Sequence, residues 1–170
     1  MGIERLSEIP VFNKIRIEKQ GPCNFDKLGN VIETTLKKKK YKVSLVKGEQ
    51  KKKGSSSEVE LKYKADKKVD DYHKFAFEIE IKAKDVRPVV VKYNNKETQT
   101  VSADLVMVIS VTLIKDYKGV FKNGKRNEFL RFLYDKYIIK NRTKKMGVKI
   151  VKDFYTLESN IKENLNAYNP

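Results

Sequence analysis

Apolar residues recur along the N-terminal part of the chain first at strand spacing and then at helical spacing. Val11 to Lys19 alternates loosely and predicts a strand, which the segment Gln20-Gly21-Pro22 ends. Asn24 then predicts the N-cap of a helix. The apolar face of that helix consists of Phe25, Leu28, Ile32 and Leu36. We expect the helix to end in the cations Lys37 to Lys40, which suit the negative end of a helix dipole.

The middle of the chain alternates with a period of two, which predicts antiparallel strands. The segment 48–57 between the first two predicts a flexible basic loop tip. The inward faces of these strands are Tyr41, Val43 and Leu45; Val59, Leu61, Tyr63 and Ala65; and Phe75, Phe77, Ile79, Ile81 and Ala83. Charge favours one register between the last two, in which the opposite pairs are Glu58 and Lys82, Lys62 and Glu78, and Asp66 and Lys74. That register also places Glu60 opposite Glu80, which argues against it.

Two further strands follow. Pro88 interrupts the pattern, and Val89 to Tyr93 predicts a short strand that ends at the turn Asn94-Asn95. Thr98 to Ile114 is long and apolar on both sides. We therefore expect a central strand that is covered, at least in part, on both faces.

The C-terminal third predicts two helices. Asn127 predicts the N-cap of the first, whose apolar face is too wide for a lone surface helix and comprises Phe129, Leu130, Phe132, Leu133, Tyr137 and Ile138. The second begins at about Gly147, and its apolar residues follow the helical period almost without error: Ile150, Phe154, Leu157, Ile161, Leu165 and Tyr168. This helix needs a partner for its apolar stripe.

This order of elements predicts an α+β fold in a single domain, 1–170, in which a curved antiparallel sheet of about five to six strands packs against a long C-terminal helix. The arrangement is similar to that of helix-grip (START-like) domains. The similarity implies that sheet and helix can enclose an apolar cavity, and a fold alone does not fix a function.

Charge adds the strongest functional signal. The chain carries a net charge of +16. Residues 37–53 contain nine lysines against Glu49, and residues 121–152 contain eleven Lys or Arg against Glu128 and Asp135. Two basic patches on a nearly neutral body can attract a polyanion. Because 32 of the 38 cations are lysines, which lack the fork of arginine, we expect contact with phosphates and little preference for sequence.

The cations that no burial explains are the candidate polyanion-binding residues. They are Lys37, Lys38, Lys39, Lys40, Lys51, Lys52, Lys53, Lys140, Arg142, Lys144, Lys145 and Lys149. A solvated surface explains them about equally well, since lysine is also the usual solubilising residue. The tyrosines that alternate with lysine, Tyr41 and Tyr63, are expected in the core and not on a base-stacking surface.

Candidate catalytic and metal chemistry is sparse. The chain has one histidine, His73, and one cysteine, Cys23, too few for a zinc site of the usual kind. A nucleophile–base pair of the two is conceivable, but we expect His73 to be exposed at the start of a strand and Cys23 to be a thiol of a loop or helix start. Glu60 and Glu80 are expected on a solvated outer face. We predict a non-enzymatic protein without cofactor or metal.

Targeting signals and membrane-spanning helices leave characteristic patterns in a sequence. No secretory signal is visible, and the longest mostly apolar stretch, Leu105 to Ile114, is too short for a membrane-spanning helix. A single cysteine fits a reducing compartment, so we predict a cytoplasmic protein without integral membrane association.

One local pattern resembles a known group. Residues 116–121 followed by 129–137, with the turn 68–72 and the final amphipathic helix, are similar to a pattern in small uncharacterised proteins of archaea with reduced genomes. The resemblance implies a cytosolic archaeal protein. It implies no activity, ligand or functional residue.

Three functions remain open from the sequence. The first is a module that binds a polyanion, with RNA or a ribonucleoprotein surface favoured. The second is a carrier of an apolar small molecule or lipid, in a cavity lined by Phe75, Phe77, Met107 and Ile109. The third is peripheral attachment to anionic lipid, for which the sequence shows no anchor.

Overall fold

The structure, a computed structural model, describes residues 7–121 and 124–167. Within these ranges the chain forms strands, helices and one π-helical turn, Tyr134–Ile138. The other elements, in chain order, are β1 (Glu8–Cys23), α1 (Phe25–Lys38), β2 (Lys42–Lys53), β3 (Ser56–Lys68), β4 (His73–Tyr93), β5 (Lys96–Lys115), α2 (Lys125–Leu133) and α3 (Lys140–Asn166).

The five strands form one antiparallel sheet in the order β1-β5-β4-β3-β2. The sheet is curved and does not close into a barrel, and α3 is the C-terminal helix. The predicted α+β class and the antiparallel sheet with its long C-terminal helix are therefore confirmed. The prediction of a single domain stays a prediction.

The core lies between one face of the sheet and the helices α1 and α3. Alternate residues of β4 and β5 are almost fully buried there, and so is the apolar stripe of α3: Ile150, Phe154, Leu157, Ile161 and Leu165. The spacing of that stripe predicted this burial, whereas Tyr168 lies outside the described residues. Asn24 caps α1 as predicted, because its Oδ1 accepts the backbone N–H of Lys27 at 2.9 Å.

The predicted register between β3 and β4 is wrong by two residues. The structure places Glu60 opposite Lys82 and Lys62 opposite Glu80. Each of these lysines thereby faces a glutamate, and the repulsion between Glu60 and Glu80 that the predicted register required is removed. Lys62 still contacts the predicted partner Glu78, now as a diagonal neighbour.

The segment 48–57 is a β-hairpin and not a flexible loop. β2 continues to Lys53 and β3 starts at Ser56, so a two-residue turn joins them. Gly54 has a φ of 61°, the conformation that such tight turns require. Lys51 lies opposite Glu58, and this cross-strand attraction extends the strands into the basic segment.

Pro88 does not end a strand, since β4 continues to Tyr93. β3 pairs with β4 only as far as Val86 in the described register. Pro88 therefore lies where β3 no longer runs beside β4, so the N–H that proline lacks is not needed to pair with β3. The tight turn at Asn94-Asn95 is confirmed, with φ values of 50° and 59°. β5 is an interior strand as predicted, buried on its inner face and half-buried at Val106 and Val108 on its outer face.

The two C-terminal helices begin earlier than predicted. The N-cap of α2 is Gly124, so the prediction that Asn127 caps this helix is wrong. α3 begins at Lys140, directly after the π-helical turn, and not near Gly147. The wide apolar face of α2 is exposed, because the helix contacts the rest of the protein through the buried Arg131 on another side.

Candidate polyanion-binding surface

The predicted cations form three clusters along the chain, and two of them, 37–40 and 140–149, meet where the end of α1 lies beside α3; the third is 51–53. Asn160 Nδ2 donates to Thr35 Oγ1 at 3.0 Å, and Tyr41 Oη donates to Asp153 Oδ2 at 2.9 Å. Thr35 in α1 thus contacts residue 160 of α3, and Tyr41, just after α1, contacts residue 153. The two helices are therefore antiparallel. Lys39 at the end of α1 consequently lies beside Asp153 in the middle of α3, and Lys38 lines a groove with Asn160 and Glu163 about two to three turns further on.

One side of that half of α3 is basic. Arg142 and Asp153 are eleven residues apart, about three helical turns, and so lie on the same side. Arg142 Nε lies 3.0 Å from Asp70 Oδ2 in the β3–β4 turn, and Lys39 Nζ lies 3.5 Å from Asp153 Oδ1. Lys145 and Lys149 occupy the turns between these two contacts.

The end of β3 contributes a further cation. Lys67 Nζ lies 5.3 Å from the centre of the Tyr41 ring, whose hydroxyl is bonded to Asp153. We call the resulting patch the α1–α3 basic surface. It consists of Lys38, Lys39, Lys40, Lys67, Arg142, Lys145 and Lys149.

Most cations of this surface have no acidic partner in the part of the chain that the structure describes. Two of them, Lys39 and Arg142, form ion pairs with Asp153 and Asp70, whose side chains are 12% and 9% exposed. Within residues 7–121 and 124–167, no carboxylate lies within 4.0 Å of the other five lysines. The surface therefore presents unbalanced positive charge to the solvent.

The third predicted cluster is remote from this surface. β2 starts at Lys42, beside the end of α1, and its other end is Lys53. Eleven residues of strand separate the two, about 36 Å at the usual rise. Lys53 Nζ lies 2.8 Å from Glu58 Oε1 and Lys51 Nζ 3.8 Å from Glu49 Oε2. Lys51, Lys52 and Lys53 thus do not join the α1–α3 basic surface.

The remaining predicted cations are not part of the α1–α3 basic surface. Lys37 is paired with Glu33 at 2.7 Å, one turn earlier on α1. Lys144 is exposed on the opposite side of α3 from Arg142, because two residues turn a helix by about 200°. Lys140 lines a pocket beside α2, together with Arg131 and Phe132.

The outer face of the sheet is also rich in lysine, and several of its lysines are paired with carboxylates. Lys47 Nζ lies 2.7 Å from Glu60 Oε2, and Lys62 Nζ lies 2.7 Å from Glu80 Oε1. The hydrogen bond from Lys47 holds the pKa of Glu60 below its usual value, and that from Lys62 does the same for Glu80. We call these paired residues the Lys–Glu lattice: Lys47, Lys53, Glu58, Glu60, Lys62, Asp66, Lys74, Glu78, Glu80 and Lys82.

A buried polar cluster fixes the start of α3. The prediction that His73 is exposed is wrong, since its side chain is fully buried. Its Nδ1 lies 3.0 Å from Asp70 Oδ2, and its Nε2 lies 2.9 Å from Thr143 Oγ1. Burial alone would raise the pKa of Asp70, but the backbone N–H groups of His73 and Tyr72 keep it below the usual value. This cluster positions Arg142 and the basic side of α3. Its sequence signal is an aspartate in a polar turn, where Asp70 Oδ1 accepts the N–H of Tyr72 two residues on, as in an Asx turn.

Cys23 and His73 are not a catalytic pair. Where β1 pairs with β5, Cys23 lies opposite Val101. Where β4 pairs with β5, His73 lies opposite Lys115. Fourteen positions of β5 separate the two. Burial raises the pKa of the Cys23 thiol, which makes it a poor nucleophile.

The predicted cavity residues fill the core. Phe75, Phe77, Met107 and Ile109 are at most 2% exposed. A groove of about 680 Å³ lies elsewhere, between α1 and the β2–β3 hairpin, and Leu45 and Tyr63 line it. Tyr41 and Tyr63 are buried, which confirms that they belong to the core.

No group of three or more His, Cys, Asp or Glu side chains among the described residues is placed to hold a metal ion. None of the helices in the described ranges is long and apolar enough to cross a membrane.

Comparison with protein-family models, with curated proteins and with solved structures found no match for this chain. The resemblance to archaeal proteins and the similarity to helix-grip domains therefore stay predictions.

Proposed function

We propose that the α1–α3 basic surface binds a polyanion, and that its ligand is the phosphate backbone of RNA in the cytoplasm. The observation that carries the proposal is a set of five lysines with no carboxylate of the described residues within 4.0 Å: Lys38, Lys40, Lys67, Lys145 and Lys149. Lysines that are already paired must give up a carboxylate to bind a phosphate. Unpaired lysines release only their counterions, which favours binding.

The shape of the surface supports a backbone ligand. From Arg142 to Asp153 the basic side of α3 extends over about 16 Å, which is long enough for several successive phosphates of one strand. Exposed aromatic rings on which bases could stack are not part of the surface, because Tyr41 is buried. Lysine contacts to phosphates carry little sequence information, so we propose binding without strong sequence preference.

The test compares two variants that remove the same charge. One replaces Lys38, Lys40, Lys145 and Lys149 of the basic surface by glutamine, and the other replaces Lys47, Lys62, Lys74 and Lys82 of the Lys–Glu lattice. Binding to labelled single-stranded and double-stranded RNA and DNA is measured by fluorescence anisotropy across a salt series, and circular dichroism checks that both variants fold.

We expect the wild type to bind RNA near physiological salt with an affinity that falls steeply as salt rises. The basic-surface variant loses at least about tenfold in affinity, and its log–log salt slope decreases by roughly 0.7 for each single-strand phosphate contact removed. The lattice variant stays within about twofold of the wild type. Equal losses in both variants, or no binding of the wild type above low salt, would contradict the proposal.

A further inference from the structure

The helix α2 and the π-helical turn expose an apolar face to solvent. Its side chains are between 45% and 72% exposed: Phe129, Leu130, Phe132, Tyr137 and Ile138. Single exposed apolar residues are common on protein surfaces, but a contiguous group of this size marks an interaction site. The sequence predicted an apolar face too wide for a lone surface helix, and the described residues do not cover it.

Positive charge surrounds this apolar face. Residues 125–145 carry eight Lys or Arg against Glu128 and Asp135. Asp135 is already engaged, since Lys115 Nζ lies 2.6 Å from its Oδ2 and Tyr72 Oη donates to its Oδ1 at 2.7 Å. The partner of this face is therefore expected to carry negative charge.

A buried guanidinium group lies next to the same face. Arg131 is 7% exposed, and its Nη2 has no hydrogen-bond partner among the described residues. Arg131 also lines a pocket of about 410 Å³, and its Nε lies 3.9 Å from Asp135 Oδ2. The other lining residues are Lys115, Glu128, Phe132, Asp135, Lys136 and Lys140, so that four cations outnumber two carboxylates there. A buried N–H without an acceptor is unfavourable, and an anionic oxygen would satisfy it.

We propose that this face docks on a bilayer that contains anionic phospholipid. The apolar side chains of α2 and the π-helical turn enter the boundary between headgroups and acyl chains, and a lipid phosphate lies at the Arg131 pocket. Aromatic and aliphatic residues flanked by lysines are typical of interfacial helices. A second copy of the chain is disfavoured as the partner, because two chains of net charge +16 repel each other.

The test uses a fluorescent reporter that the protein does not otherwise contain, since the chain has no tryptophan. Phe132→Trp places a single indole in the apolar face. The matched control is Tyr155→Trp, because Tyr155 is 55% exposed but lies on α3 against Phe12 of β1. Both proteins are mixed with vesicles of phosphatidylcholine, with or without phosphatidylglycerol.

We expect the emission of the Phe132→Trp protein to shift to shorter wavelength only with vesicles that contain phosphatidylglycerol, and that of the control to stay unchanged. Adding Phe129→Ser and Ile138→Ser to the reporter should weaken vesicle binding at least tenfold and leave RNA binding intact. The proposal of vesicle docking and the proposal of RNA binding can therefore be contradicted independently of each other.

Three results would overturn the docking proposal. One is an unchanged emission spectrum with anionic vesicles. Another is a shift that depends on protein concentration in the absence of lipid, which would identify a second copy as the partner. The last is an equal shift with soluble glycerol 3-phosphate, which would identify a site for a small phosphate compound.

Discussion

The Lys–Glu lattice and the α1–α3 basic surface are similarly rich in lysine and differ in what surrounds each cation. On the lattice, lysine and glutamate alternate on neighbouring strands, so that Lys62 contacts both Glu78 and Glu80. On the basic surface, lysines follow one another in a run at the end of α1 and recur at helical spacing on α3, where no acid intervenes between Arg142 and Asp153. The number of lysines is therefore a weaker functional signal than the number that lack a partner.

The two regions also differ in the role of their carboxylates. The glutamates of the lattice are partly exposed and each balances a neighbouring cation. The two carboxylates of the basic surface are nearly buried and hold elements in place: Asp153 binds Tyr41 and Lys39, and Asp70 binds His73 and Arg142. These two carboxylates fix the geometry of the basic surface, and the unpaired lysines carry its outward charge.

Among single substitutions, Asp153→Asn is expected to show the largest difference in RNA affinity between the two regions. This change removes a negative charge from the basic surface, so RNA affinity should rise by about two- to threefold, the effect of one charge at roughly 10 Å in a water-like medium. Stability should fall by about 1–2 kcal/mol, because Asp153 loses its charged hydrogen bond with Tyr41 and its pairing with Lys39. Anisotropy titrations and urea unfolding measure the two changes.

The matched control is Glu80→Gln in the lattice. It removes the same charge, and we expect it to leave RNA affinity unchanged because Glu80 lies away from the basic surface. Equal gains in RNA affinity from Asp153→Asn and Glu80→Gln would show that only the net charge matters, and the distinction between the two regions would fail.

A smaller effect is expected on the stability of the Lys–Glu lattice when the pH is lowered. Hydrogen bonds from Lys53, Lys47 and Lys62 lower the pKa values of Glu58, Glu60 and Glu80 respectively in the folded protein. Their pairing contributes stability above the unfolded pKa, about 4.3, and this contribution is lost as the pH falls through the lower folded values. We expect the melting temperature to be nearly constant from pH 7 to about 5 and to fall below that, as followed by circular dichroism.

Replacing these three glutamates by glutamine should lower the melting temperature at neutral pH and flatten its fall in acid. Asp70, whose pKa is also lowered, accounts for part of the fall that remains. Glutamine at Lys38 and Lys40 should leave the acid profile as in the wild type, since these lysines pair with no carboxylate among the described residues. An identical acid profile for the wild type and the triple glutamate variant would contradict the lattice account.

The sequence predicted those parts of the fold that depend on local pattern. Apolar residues at helical spacing place the buried stripe of α3, and an asparagine before an apolar face places the cap of α1. The register of β3 against β4 was mispredicted because a shift by two residues keeps every side chain on the same face. Lys62 meets a glutamate in either register, so charge alone discriminates weakly between them.

The two proposed binding surfaces, the α1–α3 basic surface and the apolar face of α2, could be predicted only in part. The sequence identifies two clusters of candidates, Lys37 to Lys40 and the group Arg142, Lys144, Lys145 and Lys149. That they meet depends on the antiparallel packing of α1 on α3. The contact between His73 and Thr143 joins residues 70 positions apart in the chain, which no local pattern indicates. The exposure of the α2 face was also unpredictable, because an apolar pattern does not tell whether the rest of the chain covers it.

The most direct test of the account is lysine footprinting with and without RNA, because one sample reports on both regions. Exposed amines are acetylated briefly at near-physiological salt, and mass spectrometry compares the modification of each lysine. The account predicts that RNA protects Lys38, Lys40 and Lys149 and leaves Lys47 and Lys82 unchanged. Protection of the lattice lysines, or equal protection of all lysines, would contradict it.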